Sequence, residues 1–246
     1  MISVYLECAP GERDVLIAQL HERGTLGVLE LRSGLRAWFE DGAEISDLVA
    51  RYDGAVLAES DEDWVRRTRE SFPPVAIGER FWLVPPWNED PPPAGRMRLE
   101  INPGLACGTG WHQCTQLCLE ALERHMRPGD AVLDVGTGSG ILIAAADLLG
   151  AGRAAGCDVD CDAVVIARER VGIRVFAGSA DAVRDGAFDV VVANISAAVV
   201  AALLPDLRRV CRGLLIVSGF SSTPAILNVL EVLDRDGWQC VISSVR

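Results

Sequence analysis

Apolar and polar positions change rhythm along this chain, and the changes mark out elements. "ISVYLE" alternates as a strand, and "GERDVLIAQLHERG" has the spacing of an amphipathic helix with Val15, Ile17 and Leu20 turned inward. "LGVLELRSGLRAWFE" reads as two strands meeting at Ser33 and Gly34, "AEISDLVARY" as a second helix and "AVLAES" as a fourth strand. The order β-α-β-β-α-β over residues 1–60 predicts a small ferredoxin-like α/β sandwich, a kind of domain that more often recognises a partner than carries chemistry. Residues 61–95 read as a linker: "DEDWVRRTRESF" is charged and helical, and "RFWLVPPWNEDPPPAGRMRLEIN" places two strand-like runs around a proline loop. Trp82 and Trp87 there suit either a groove wall or packing at a domain junction.

From Gln113 the rhythm becomes regular. A helix, "QCTQLCLEALERHM", precedes the strand "AVLDVG"; then come the helix "ILIAAADLLG", the strand "AAGCDVD", the helix "DAVVIARERV" and the strand "IRVFAG". The strand "DVVVANI", the helix "AAVVAALLPDLRRV" and the strand "GLLIVSG" follow, then a last helix, "TPAILNVLEVLDRDG", and a final strand, "WQCVISS". Short apolar strands alternating with helices predict a doubly wound, Rossmann-like α/β domain over residues 96–246, with ligands bound at the carboxyl ends of its strands.

Composition narrows the function classes. The 246 residues carry a formal charge of −12 and no lysine at all. Such a balance disfavours binding along a nucleic-acid backbone, which needs a basic footprint, and suits a basic protein partner. The start, "MISVYLECAPGERD", has neither a basic leader nor a long apolar run, and the apolar stretches are too short for a bilayer, so a cytoplasmic protein without membrane contact is expected. The eight cysteines follow no secreted disulfide framework. "CGTGWHQC" with Cys118 leaves a His/Cys metal cluster as an alternative, but its spacing is not that of paired zinc ligands, and no metal is expected.

The chemistry gathers at the predicted strand ends. "LDVGTGSG" places Asp134, Gly136, Gly138 and Gly140 between a strand and a helix, where glycine lets a ligand approach the backbone closely. A dinucleotide fingerprint requires glycine where Ile141 stands; the G-x-G-x-G found instead is the form used for the amino-acid end of S-adenosylmethionine. Asp158, ending the next strand, has the spacing at which a carboxylate grips both ribose hydroxyls. Asp181 in "GSADAV" is a candidate for the adenine amine, with a surface role as the alternative. Asn194 ends the fourth strand, where its side-chain carbonyl can accept from a substrate N–H and aim the nitrogen lone pair at a methyl group, a plain turn being the alternative.

These residues resemble the PrmA-type family of ribosomal protein L-eleven methyltransferases. The likeness runs through "DEDW", "PPW", "PGLACGTGWHQCT", "LDVGTGSG", "GCDVD" and "VVANIS", in that order. It implies a recognition domain joined to a methyltransferase domain that uses S-adenosylmethionine to methylate lysine on a large-subunit ribosomal protein; a monomer is expected. It also implies that Thr115, Gly136, Asp158 and Asn194 contact the cofactor, and that Thr109 and His112 belong to a loop folded over it. His112 is then a candidate for orienting the cofactor or deprotonating an incoming ammonium, with a structural histidine as the alternative. The sequence departs from the family at Cys107, Cys114, Asn102 and Thr68, and lacks a final hairpin strand. A diverged methyltransferase for another protein or amine, and a binding module that no longer transfers methyl, remain the alternatives.

Overall fold

The computed structural model describes residues 2–9, 12–31, 33–58, 70–103, 110–222, 225–226 and 228–245. The chain divides into two compact units, Met1–Ser71 and Phe72–Arg246.

In the smaller unit the order is β1 (Ile2–Glu7), α1 (Arg13–Glu22), β2 (Gly27–Leu31), β3 (Gly34–Phe39), α2 (Ser46–Arg51) and β4 (Ala55–Ala58). Its strands pair antiparallel in the order β2-β3-β1-β4, the split β-α-β arrangement. Alternate strand residues, Val4 and Leu6 on β1 and Leu35, Ala37 and Phe39 on β3, are fully buried on one face. On α1 it is Leu16 and Leu20 that are fully buried, whereas Val15, expected inward, is 59% exposed. The run "VLIAQL" allows either register, and the sheet takes the i, i+4 leucine pair that stacks on one side of the helix.

The larger unit contains β5 (Val75–Ile77), β6 (Phe81–Val84), β7 (Met97–Glu100), α3 (Gln113–His125), β8 (Ala131–Val135), α4 (Ile141–Leu148), β9 (Arg153–Asp158), α5 (Cys161–Val171), β10 (Val175–Ala177), β11 (Phe188–Asn194), α6 (Ala197–Val210), β12 (Cys211–Phe220), β13 (Val229–Arg235) and β14 (Trp238–Ser244). Seven strands form a sheet in the order β10-β9-β8-β11-β12-β14-β13. The first five run parallel, and β14 and β13 complete it antiparallel. Both faces are covered: Val132, Val190, Val192 and Ile216 share a core with α3 and α4, while Leu133, Val191 and Leu215 pack with α6. Strands buried on both sides are apolar almost throughout, which is why they were legible as short apolar runs.

Two expectations change here. Strands β5, β6 and β7 form a small sheet whose Ile77, Phe81, Leu83 and Leu99 join the core beneath Leu117 and Leu122 of α3. Residues 72–95 therefore fold with the larger unit, although the sequence reading assigned them to the linker and began that domain at 96. Residues 61–69, read as a charged helix, lie outside the described residues. The segment "TPAILNVLEVLDRDG", expected to be a helix, instead carries β13. Asp236 and Gly237 both have positive φ, 52° and 81°, and form the two-residue turn that folds β13 onto β14. The hairpin strand that the sequence reading found missing is thus supplied by this segment.

Candidate functional site: a cavity along the carboxyl edge of the sheet

A cavity of about 810 Å³ follows the carboxyl ends of the parallel strands. Its wall takes Gly178 and Ser179 after β10, Asp158 from β9, Val135 and Gly136 from β8, Asn194 from β11, Gly219 from β12 and Trp238 from the start of β14. Strand order fixes the sequence of groups along this edge. With neighbouring strands about 4.8 Å apart, Asn194 lies roughly 10 Å from Asp158, and Trp238 roughly 19 Å from it. The other long wall comes from the start of α3, where His112, Cys114 and Thr115 face the cavity.

The glycine turn after β8 approaches the ligand space closely. Gly136 has φ 77°, and a Cβ there would lie 2.5 Å from Ile195 Cγ2. Its backbone donors are already used: the N–H groups of Gly136 and Thr137 donate to the Cys157 carbonyl at 2.9 and 3.1 Å, and Gly138 N–H donates to Asp158 Oδ2 at 2.9 Å. A turn whose donors are spent on its own strand ends offers little to a pyrophosphate, which needs free N–H groups at a helix start. Gly140 stands elsewhere. It is the left-handed cap of α4 (φ 77°), and a Cβ there would press within 3.3 Å of Ala167 Cβ, so it serves the packing of α4 on α5 and does not line the cavity.

Asp158 is positioned by the same turn. Gly138 N–H and Asp160 N–H each donate to one of its oxygens, at 2.9 and 3.1 Å, and the carboxylate retains lone pairs toward the cavity. Val159, next in sequence, lines the cavity and is 79% exposed, and Ile166 of α5 lines it too, giving the Asp158 end an apolar surface fit for a flat base. Asp181 is exposed and outside the cavity wall, and Gly178 and Ser179 occupy the place expected for it. The short β10 ends at Ala177, and the single 3-10 turn beyond it carries Asp181 away from the strand end. Asp134 also lies off the wall. It is 1% exposed behind the turn, with Oδ2 accepting from Thr137 Oγ1 at 2.8 Å and Oδ1 buried without a partner among the described residues. Burial pushes its carboxyl up to about 7, against the opposing Thr137 hydrogen bond and with the Asp158 charge adding to the rise.

At the middle of the edge, Asn194 Nδ2 donates to Thr115 Oγ1 at 3.1 Å across 79 residues of sequence. That fixes the amide so that Oδ1 is its remaining polar atom. His112 caps α3, its Nδ1 accepting from Cys114 N–H at 3.2 Å, and its ring meets Trp238 edge-on with centroids 4.7 Å apart. With Nδ1 occupied by the Cys114 N–H, Nε2 is the ring nitrogen left for another partner.

Of the residues singled out from sequence, His112, Thr115, Gly136, Gly138, Asp158 and Asn194 come together around one cavity; Asp134, Gly140 and Asp181 do not line it, and Thr109 lies outside the described residues. Neither Trp82 nor Trp87 lines that cavity. Sequence reasoning missed Trp238, Ile195 and Val199, whereas Gly178 and Ser179 belong to the segment it placed at the adenine end. Only the Asp-Gly pair before Trp238 signalled that this tryptophan starts a strand at a tight turn.

Comparison with known proteins shows the family. The family model described as "Ribosomal protein L11 methyltransferase (PrmA)" matches residues 37–244. A ribosomal protein L11 methyltransferase from Ralstonia pickettii is 40% identical over 198 residues, which cover 74% of this chain and 65% of that protein. One of the same name from Burkholderia cenocepacia is 50% identical over 138 residues, 55% of this chain and 46% of that protein. The chain thus spans about half to two thirds of the length of these curated relatives. The crystal structure of a ribosomal protein L11 methylase from Lactobacillus delbrueckii subsp. bulgaricus aligns with a TM-score of 0.61 at 30% identity, over 70% of this chain and 98% of that one. By the extent of these matches, the chain belongs to the ribosomal protein L11 methyltransferase (PrmA) family.

Proposed function

We propose that the chain is an S-adenosylmethionine-dependent methyltransferase that modifies a lysine of a ribosomal protein, as the names of its relatives suggest for L11. The observation that carries this reading is the spacing of Asp158 and Asn194 on one cavity edge, two strands apart, with a glycine turn between them whose N–H groups are not free for phosphate. Asp158 would hold the ribose hydroxyls, Val159 and Ile166 the base, and the Gly136–Gly138 backbone the amino-acid end. When bound, S-adenosylmethionine supplies an electrophilic methyl on a sulfonium.

The protein's own part is alignment. Thr115 holds the Asn194 amide, and Oδ1 accepts from the acceptor N–H, turning the nitrogen lone pair inward. His112 and Trp238 wall the far end, which favours the structural alternative for His112 over the deprotonating one. The charge of −12 steers a basic protein toward the enzyme, and the smaller unit is assigned to its recognition. Among the described residues no helix is long and apolar enough to cross a membrane. A monomer acting in the cytoplasm is part of the proposal.

Incubation of purified protein with methyl-labelled S-adenosylmethionine and recombinant L11 should label a lysine of L11. Absence of cofactor binding at millimolar concentration would overturn the reading. Tight binding with no transfer to L11 or to any lysate protein would favour a binding module.

A further inference from the structure

Glu120 is an odd residue for its position. It lies on the buried face of α3, its side chain only 11% exposed, and Gln116 precedes it by one helical turn. Arg235, the last residue of β13, meets both. One guanidinium nitrogen donates to Glu120 Oε1 at 2.7 Å and the other to Gln116 Oε1 at 2.9 Å. Gln116 passes the connection on, its Nε2 donating to the carbonyl of Trp111 at 2.9 Å, immediately before His112. On its other side, Arg235 opens the Asp236–Gly237 turn that presents Trp238 to the His112 ring. One guanidinium therefore closes a ring of contacts through Gln116, Trp111, His112 and Trp238, and the last two residues wall the cavity at the end furthest from Asp158.

We propose that Arg235 is a positioning residue that sets the acceptor end of the cavity by fixing Trp238 against His112; this rests on the methyltransferase reading above. The planar fork matters, because it serves a carboxylate and an amide oxygen at once, and an ammonium in its place can hold only one of them well. A second clamp on the same strand provides an internal control. Glu231 accepts from Arg124 at 2.8 Å and pairs with His125 at 2.7 Å, also joining β13 to α3, and it reaches Arg235 only indirectly, through Arg124 and the longer 3.8 Å pairing of Arg124 with Glu120.

The test compares Arg235→Gln, Arg235→Lys, Gln116→Leu and Glu231→Gln, with recombinant L11 as the acceptor probe. Arg235→Gln should lower kcat/KM for L11 by about tenfold or more, while calorimetry gives an S-adenosylmethionine Kd within about twofold of the parent. Arg235→Lys should recover part of the loss, and Gln116→Leu should reproduce it without adding to Arg235→Gln in the double variant. Amide exchange in residues 111–116 and 236–240 should quicken in Arg235→Gln and not in Glu231→Gln, a readout independent of turnover. Parent-like kinetics in Arg235→Gln, or an equal kinetic loss in Glu231→Gln, would overturn the proposal alone. A parent protein that methylates nothing would instead remove the methyltransferase reading beneath it.

Discussion

Asp134 offers a prediction whose size follows from the structure. Its carboxyl is 1% exposed, receives one hydrogen bond, and is pushed from 3.8 up to about 7 by burial. A carboxyl with a raised pKa in the folded protein keeps its proton where the unfolded chain has lost it. The unfolded state then binds fewer protons, and stability falls as pH rises from about 4 to about 7 and is level beyond. A shift of about 3 units at about 1.4 kcal/mol each makes the whole effect roughly 4 kcal/mol, of which about 2 kcal/mol falls between pH 5.5 and 8.5. That window avoids the isoelectric point near 4.7, where association would confuse the measurement. Asp134→Asn keeps the shape and the acceptor for Thr137 but cannot ionise. Its unpaired amide adds a constant cost that cancels between two pH values. Urea unfolding of parent and variant at pH 5.5 and 8.5 should therefore show the parent losing about 2 kcal/mol relative to the variant on going to the higher pH. Parallel stability profiles would refute the assignment of a buried, proton-retaining carboxyl.

Asp158→Ala should raise the S-adenosylmethionine Kd by tenfold or more in calorimetry, through loss of the ribose contact and of the anchor for Gly138 N–H, a step of about 1.5–3 kcal/mol. Asn194→Ala should keep cofactor affinity within a few fold and lower kcat with L11 by about a hundredfold; turnover at the parent rate would remove its aligning role. Asp189 is held down to about 2 by the Arg212 guanidinium and then the Ala131 N–H, tying the start of β11 to β8 and β12. Its contribution is present above the ordinary carboxylate range and lost as pH falls toward 2, so Asp189→Asn should cost about 1 kcal/mol in urea unfolding at pH 7 and less in strong acid.

The sequence by itself determined the layers of the fold and the groups on its strand ends. Apolar strand runs, helical spacing and the glycine turn are local patterns, and in a parallel sheet each strand's last residue must reach the carboxyl edge, so Gly136, Asp158 and Asn194 could be placed one segment at a time. Only the tertiary structure decided what stands opposite them. Thr115 meets Asn194 across 79 residues and Arg235 meets Gln116 across 119, pairings that no local period encodes. The same limit explains the errors. The pattern of "NVLEVLDRDG" fits a helix or a strand equally, and the free edge of β14 together with the Asp-Gly turn selects the strand. Gly140 and Asp181 have the right spacing but sit past the strand ends, one turned into helix packing and the other into solvent. Spacing along a chain limits which residues can reach a ligand, and the direction of the backbone after each strand selects among them.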